Sequence, residues 1–592
     1  MPVRLNVVRN GKYEYIRVFE SYLNENKQPR SRVVQSFGRL DQATPDTMER
    51  AKKFVEDWNA NELAKRQSER QKHADSIIKD LKSTSAASYS SAPVLNAGAA
   101  VVHRLWEELK LTETFDYLAR KMKVQYDFTE HVRLLTYLRL LDPASKLATW
   151  ENRNNTIRDF STVEELHNLY RCLEKLSENK DGVVKSLNRQ ISKLYSRDFS
   201  AAFYDVSTYS FESQNADTIR DFGMSKDKKF NEVQVVLGLL MDQNGIPIDY
   251  ELHPGNTSEY GTLIPMIEKF IKTYGIKKVT VVADRGLNSN ENLLKLEKLG
   301  CEFVIAQKIK NASEEIQRMI FEDNWTEVKT DKDGVIIEKS KFLEIKKDVF
   351  ETKTSACGRR YPTSNKLGEL AVRWLITYSS KRAAKDQSDI DRKIKKATEA
   401  IAAGKAKPSK KGWQSYVAFE QETQGKPKLN LQRIKQQQQW NGFYAICTNA
   451  KELTAEKIQE IYHRLWRIED CFRVSKSVLD FRPCYLWNPE RIKGHFLSCF
   501  LALVLEKLMA WKVREAAEQK AIPYITPEAM MESLRGAGVV VVGSPSDPSY
   551  IKVGANENFD ALCRLFGLQP ICHSEDRASL SVKLRIRKIR TK

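Results

Sequence analysis

The chain has 592 residues, 41% hydrophobic and 29% charged, with 97 Lys+Arg against 77 Asp+Glu and a net charge of +20. That length is too great for one hydrophobic core and implies roughly three to five domains or subdomains. The basic surplus favours a polyanionic partner, nucleic acid first, over a merely basic solvated surface, and says nothing about chemistry.

The first forty residues read as an antiparallel β-meander. Asn10-Gly11 marks a tight turn, Lys12 to Leu23 is rich in Tyr, Ile, Val and Phe, and Arg32 to Phe37 follows a second turn. Thr44-Pro45 opens a long charged helix that runs to about Leu81, with Thr as cap and Pro in the first turn. The expected first domain is 1–82, and the Ser/Ala-rich stretch from Ser83 to Pro93 is a linker. Residues 94–198 are helical in pattern. The basic and aromatic positions Arg104, Trp106, Arg133, Tyr137 and Arg139 fit either a DNA-binding module or a helical packing domain.

From Phe199 the pattern changes to strands. Phe203–Phe211, the apolar run Val233–Met241 and Ile246–Leu252 read as three strands. A helix capped near Thr257-Ser258, the strand Val279–Ala283, a short helix Asn288–Leu299 and the strand Phe303–Ala306 complete a mixed five-stranded α/β sheet over 199–308. Residues 309–453 interrupt this core as an insertion domain. It holds strand-like pieces (Phe342–Lys346, Ala371–Tyr378), a basic helix-compatible stretch Lys381–Lys411, and two more strand-like pieces near Tyr416 and Gly442–Cys447. Residues 454–521 are helical. Residues 522–592 are weakly patterned and end in six basic residues among the last ten, which read as a strand or tail on nucleic acid or as a disordered basic tail.

Nine dispersed cysteines without a CxxC pair argue against a zinc knuckle and for reduced thiols in a cytosolic compartment. The N-terminus has no apolar signal core. The longest apolar run, Phe496 to Leu505, is short of the ~20 residues a membrane span needs and reads as a buried core helix. No membrane partner is expected.

The stretch Ile461–Lys476 reads as one helix on which Tyr462, Glu469 and Lys476 are spaced by two turns and share a stripe, joined by Arg473. A phenol, an acid and two bases on one face suit a site that holds a metal and grips phosphate. Asp205 lies within the first core strand, and Asp284 ends a buried parallel-type strand, where α/β sheets place ligands. With Glu469 these acids can converge at one edge. Three carboxylates so placed repel and are stable mainly around a cation, and hard oxygen donors select Mg²⁺ or Mn²⁺. Two such ions about 4 Å apart can activate a nucleophile and stabilise the leaving oxygen of a phosphodiester. Blander readings stand beside each: a hydrogen-bond network around Asp205, a turn-forming Asp284, and an i,i+4 pair of Glu469 with Arg473. Asp470, Asp480 and Glu212 read as surface or cap residues, and His253 and His495 as core or DNA-contact histidines. Lys226, Lys228 and Lys229 fit either the DNA backbone or a solvated loop.

These blocks together resemble DDE transposases of the IS4 type, closest to the IS1634-like branch. Tyr204-Asp-Val-Ser-Thr-Tyr-Ser-Phe-Glu212 resembles the first-Asp strand, and Ala283-Asp-Arg-Gly286 the second-Asp block. Val233–Leu240, Gly245-Ile-Pro247 and Gly255-Asn-Thr-Ser-Glu259 match the block between them. Tyr462, Glu469 and Lys476 match the Tyr-x2-Arg-x3-Glu-x6-Lys signature, with Leu465 where the Arg would stand and Arg464 and Arg467 beside it. The resemblance implies an RNase H-like core interrupted before its last helix by the insertion. It further implies Asp205, Asp284 and Glu469 as catalytic metal ligands for Mg²⁺ (or Mn²⁺), as two ions. Tyr462, Arg464, Arg467, Arg473 and Lys476 would be DNA contacts. Trp440 and Trp466 are candidates to hold a flipped base, with packing preferred. The implied function is end binding at terminal inverted repeats, end cleavage and 3′-hydroxyl joining to target double-stranded DNA, by a homodimer in the bacterial cytoplasm at the nucleoid. The alternatives are an RNase H-like structure-specific endonuclease and a non-catalytic transposase-derived DNA-binding protein.

Overall fold

A computed structural model describes residues 3–23, 29–61, 94–223, 231–355, 360–407, 409, 411–419, 427–544, 547–554, 556–587 and 589–590. The chain forms two compact units, Met1–Ala92 and Pro93–Lys592. The expected linker Ser83–Pro93, the helix beyond 61, and Lys226, Lys228 and Lys229 lie outside the described residues.

In the first unit, β1 (Val3–Asn10), β2 (Tyr13–Leu23) and β3 (Pro29–Arg39) form an antiparallel meander. The β1–β2 turn is tight because Gly11, at φ +63°, takes a left-handed conformation. Alternation along β2 buries Ile16 and Val18 on one face. A helix over 45–61 (α1) packs there, with Thr44 Oγ1 accepting the Thr47 N–H and Phe54 edge-on to Phe37.

The second unit opens with a short strand β4 (Val94–Asn96) and the helices α2 (Ala99–Glu108), α3 (Leu111–Met122), α4 (Phe128–Leu141), α5 (Lys146–Glu151), α6 (Leu166–Glu178) and α7 (Lys180–Tyr195). The core strands β5 (Ala201–Ser210), β6 (Gln234–Asp242) and β7 (Pro247–Pro254) form an antiparallel meander. After α8 (Leu263–Tyr274), β8 (Thr280–Ala283) lies parallel to β5; after α9 (Asn290–Lys298), β9 (Glu302–Ala306) lies parallel to β8. The order of three strands, helix, strand, helix, strand expected from the sequence is the observed one. Gly238 on β6 is glycine for a local reason. A Cβ there would sit 2.2 Å from the hydroxyl of the fully buried Tyr204.

The insertion departs from expectation, because it widens the core sheet. It adds α10 (Glu314–Phe321), β10 (Glu327–Thr330), the long hairpin β11 (Ile336–Thr354) and β12 (Arg360–Ser379), and α11 (Ser380–Ala402). Two short strands β13 (Val417–Phe419) and β14 (Pro427–Leu429), α12 (Leu431–Gln438) and β15 (Phe443–Thr448) follow. The result is one nine-stranded mixed sheet, ordered β10-β11-β12-β15-β9-β8-β5-β6-β7. Leu343, Ile345, Val372, Trp374 and Ile376 share a core with Val281 and Phe303, so most of the insertion cannot bury its apolar face without the core strands. A small satellite core around Ile390, Ala397, Tyr416 and Ile434 gathers α11, α12 and the β13–β14 pair.

After the insertion come α13 (Ala455–His463), α14 (Trp466–Ser477) and α15 (Pro489–Glu518). Asn488 caps α15 and Pro489 starts it, and Phe496 to Leu505 are buried on every side, as expected of a core helix. None of the described helices is long and apolar enough to cross a membrane. The C-terminal region is a folded layer: α16 (Pro527–Gly536), β16 (Gly538–Ser544), β17 (Asp547–Val553), α17 (Glu557–Leu565), β18 (Ser574–Asp576) and α18 (Arg577–Leu584). β16 pairs with β4, nearly 450 positions earlier in the chain. The basic end is anchored because Leu584, Ile586 and Ile589 alternate with the charges and are buried, and Arg158 pairs with Ile589.

Candidate active site on one face of the core sheet

The parallel β5–β8 register runs Ala202↔Val281, Phe203↔Val282, Tyr204↔Ala283, so Asp205 and Asp284 occupy the next position on neighbouring strands. Neighbouring strands lie about 4.8 Å apart and alternate side chains between faces. Phe203 and Tyr209 of β5, with Val282 of β8, pack on the face covered by α14 and α15; Tyr204, Val206 and Ala283 pack on the other. Asp205 therefore shares the α14 face, and Asp284 continues it just past the strand end.

α14 lies along β5. Its Cys471 Sγ is 3.6 Å from the Gly245 carbonyl in the β6–β7 turn, and Ser475 Oγ is 2.5 Å from the Tyr209 hydroxyl. Ile468, Cys471 and Phe472 are buried against the sheet, while Glu469 is exposed. Lys476 sits over the Tyr209 ring at 5.3 Å. Glu469 and Lys476 share a stripe, as the spacing predicts.

The stripe does not extend to Tyr462 along one helix. Residues 464 and 465 form a turn between α13 and α14, closed by i→i+3 bonds from Leu465 N–H to Tyr462 and from Ile468 N–H to Leu465. Leu465 is buried at this break, which accounts for an apolar residue where the signature Arg would stand. The flanking arginines both grip the β6–β7 turn. Arg464 Nη1 donates to Gln243 Oε1 at 3.1 Å, and Arg467 Nη1 to the Gln243 carbonyl. Arg473 donates to Asp470 and to Glu528 at 2.9 Å, so in place of the alternative i,i+4 pair with Glu469 it forms an i,i+3 pair with the adjacent acid.

The break turns Tyr462 toward Asp284. Its hydroxyl lies 3.5 Å from Asp284 Oδ1 and 2.7 Å from the hydroxyl of Tyr444 on β15. Burial, then Tyr444 and Asp284 beside it, holds the Tyr462 phenol well above its usual range, so it stays a donor. Arg382, at the start of α11, lies 4.5 Å over the Tyr444 ring. Tyr444 and Arg382 were not singled out from the sequence. The signal was available for Tyr444, since alternation along β15 places it on the face of Ile446. Glu259 also approaches: a Cβ on Gly286 would lie 2.6 Å from its carboxylate.

Among the described residues, the one set of three acidic ligand atoms within 4.8 Å of one another is Asp181, Asp249 and Glu251, not Asp205, Asp284 and Glu469. That set is an ion-pair network. Lys180 reaches Glu251 at 2.7 Å and Asp249 at 3.2 Å, and Lys269 reaches Asp181 at 2.7 Å and Asp249 at 3.1 Å. Two ammonium groups thus occupy the place a cation would take. On the α14 face the candidate donors are all carboxylate oxygens, the donor type that suits Mg²⁺ or Mn²⁺. Of the aromatic candidates, Trp440 is buried against Phe321, whereas Trp466 is 51% exposed rather than packed.

Comparison with known proteins fits this topology. The model of the transposase DDE domain matches residues 201–505, and the model of the IS1634 family transposase N-terminal domain matches residues 5–82. No curated protein matches the chain. Among solved structures, the cryo-electron microscopy structure of the piggyBac transposase synaptic complex with hairpin DNA aligns over 76% of this chain and 82% of its own. The identity is 8% and the TM-score 0.35. The DDE match spans more than half of the chain and brackets β5, β8 and α14. The chain belongs to the DDE transposase family, in its IS1634-like branch, and its core is RNase H-like.

Proposed function

We propose that this DNA transposase binds transposon terminal inverted repeats, cleaves the element ends and joins the 3′-hydroxyls to target DNA, with Asp205, Asp284 and Glu469 as its catalytic acids. The observation that supports this reading is the register of β5 and β8, which sets Asp205 beside the position just past β8 that Asp284 takes, on the sheet face along which α14, the helix carrying Glu469, lies. These acids would hold Mg²⁺ or Mn²⁺, as two ions. Such ions, when bound, supply Lewis-acid activation of the attacking oxygen and charge neutralisation of the leaving one.

The other roles fall to groups around the acids. Tyr462, kept protonated, gives its hydrogen bond to a non-bridging phosphate oxygen near Asp284. Lys476, one stripe position from Glu469, adds a positive charge on the strand path. Arg464, Arg467 and Arg473 reach DNA by exchanging their present partners Gln243, Asp470 and Glu528. Region 94–198 and the N-terminal meander recognise the ends, and the insertion holds the backbone. Cutting two ends together needs two active sites, so the DNA complex is a homodimer. The enzyme acts in the bacterial cytoplasm, at the nucleoid.

The test is strand transfer of a pre-cleaved end in Mg²⁺. Joined products support the reading. Cleavage of intact ends without joining would make the chain an endonuclease, and neither activity, with DNA binding intact, would make it a binding protein only.

A further inference from the structure

A cavity of about 290 Å³ lies under the loop joining α14 to α15. Its walls include Arg139, Ser145, Lys146, Tyr170, Tyr485 and His495, and no Asp or Glu among the described residues. Lys146, the first residue of α5, is 7% exposed, and its ammonium has no hydrogen-bond or ion-pair partner among the described residues. Arg139 is 5% exposed. Its terminal nitrogens donate to the carbonyls of Asp480 at 3.0 Å and Ala144 at 2.9 Å, while its Nε is buried without a partner. His495 Nε2 lies 3.0 Å from the Phe481 carbonyl, which fixes that wall of the loop.

Two buried cationic side chains therefore face one chamber with donors to spare and no carboxylate. An unpaired buried cation either loses its proton or acquires a counter-anion. Burial, then Arg139 nearby, pushes Lys146 down to about 7, the direction expected of a buried ammonium without a carboxylate partner. Tyr485, 61% exposed, stands at the rim, so the chamber opens toward solvent. Hydroxyl and ammonium donors with no acceptor charge match an oxyanion of the phosphate class.

We propose that this cavity is a phosphate-binding site, with Lys146 and Arg139 as its anion-holding groups. The occupant is either a DNA backbone phosphate or a free phosphate compound. The DNA arm rests on the transposase reading above; the anion site itself does not.

The experiment uses the full chain and inorganic phosphate, read as the thermal midpoint against chloride at matched ionic strength. Phosphate is expected to raise the wild-type midpoint through selective binding to the folded state. Lys146→Met, which keeps the stem and removes the charge, should abolish the rise, while Lys332→Ala, an exposed lysine between β10 and β11, should leave it intact. A second readout needs no variant: phosphate should slow reductive methylation of Lys146 in the wild type, followed by mass spectrometry. If the natural occupant is a backbone phosphate, Lys146→Met also lowers the salt slope of duplex binding by about one. If duplex binding is unchanged while phosphate protection is lost, the occupant is a free phosphate compound. A phosphate effect that persists in Lys146→Met, or Lys146 labelling indifferent to phosphate, would overturn the site, whether or not the enzyme cleaves DNA.

Discussion

Gly494, near the start of α15, offers a test of how tightly this core is built. A Cβ there would lie 1.8 Å from the Leu173 carbonyl oxygen, 2.5 Å from its carbon and 2.7 Å from its Cα, all backbone atoms of α6. No rotamer change relieves such a clash. Restoring ordinary contact means parting the two helices by about 1.5 Å. In an open helix, Gly→Ala stabilises by up to about 1 kcal/mol through backbone entropy. Overpacking in a close-packed core costs ~1–3 kcal/mol, and the unyielding contact places Gly494 at the upper end, so Gly494→Ala should destabilise by about 2 kcal/mol net. Gly182 in α7, with nothing within 4 Å, is the matched control and should gain stability on the same change. Urea unfolding of both variants measures the difference. Equal effects of the same sign would refute the packing argument. The loss should also reach the site, because α15 carries His495, which holds the loop after α14 through the Phe481 carbonyl.

Other expectations follow from single contacts. Asp242→Ala removes the partner of Arg197 in an ion pair with both side chains 1% exposed, and should cost about 3–5 kcal/mol by chemical denaturation, since a buried cation is left uncompensated. Tyr462→Phe removes the hydroxyl between Tyr444 and Asp284, and should lower the single-turnover cleavage rate about tenfold while DNA affinity changes little. Anion-free protein should become more stable as pH rises from about 7. Lys146 releases its proton there when folded, whereas the unfolded lysine keeps it to about 10.4, so the unfolded state binds more protons over that window. The groups facing Lys146, namely Arg139, Cys484, Cys499 and His495, are unchanged in Lys146→Met, which should lack this rise.

The core was legible because its strands carry continuous apolar runs bounded by turns, and because Asp205 interrupts one of those runs and Asp284 ends another. The insertion was legible only as strands and helices. Its fusion into one sheet depends on pairing across long separations, as between Ile446 on β15 and Ala306 on β9, which no local pattern encodes. The break between α13 and α14 was hidden for a related reason. No Pro or Gly marks it; tertiary grips on Gln243 and the burial of Leu465 set it, and a 3.6-residue period runs through it unaltered. The C-terminal end was misleading because its lysines and arginines mask the buried spacing of Leu584, Ile586 and Ile589.

The most direct measurement is Mg²⁺-dependent cleavage of a donor duplex carrying the element ends, by the wild type and by Asp205→Asn, Asp284→Asn and Glu469→Gln, with DNA binding followed in parallel. Each substitution should reduce cleavage by at least about 10³-fold and leave binding in place. Undiminished cleavage by Asp284→Asn and Glu469→Gln would contradict the assignment of the active site to this face of the sheet.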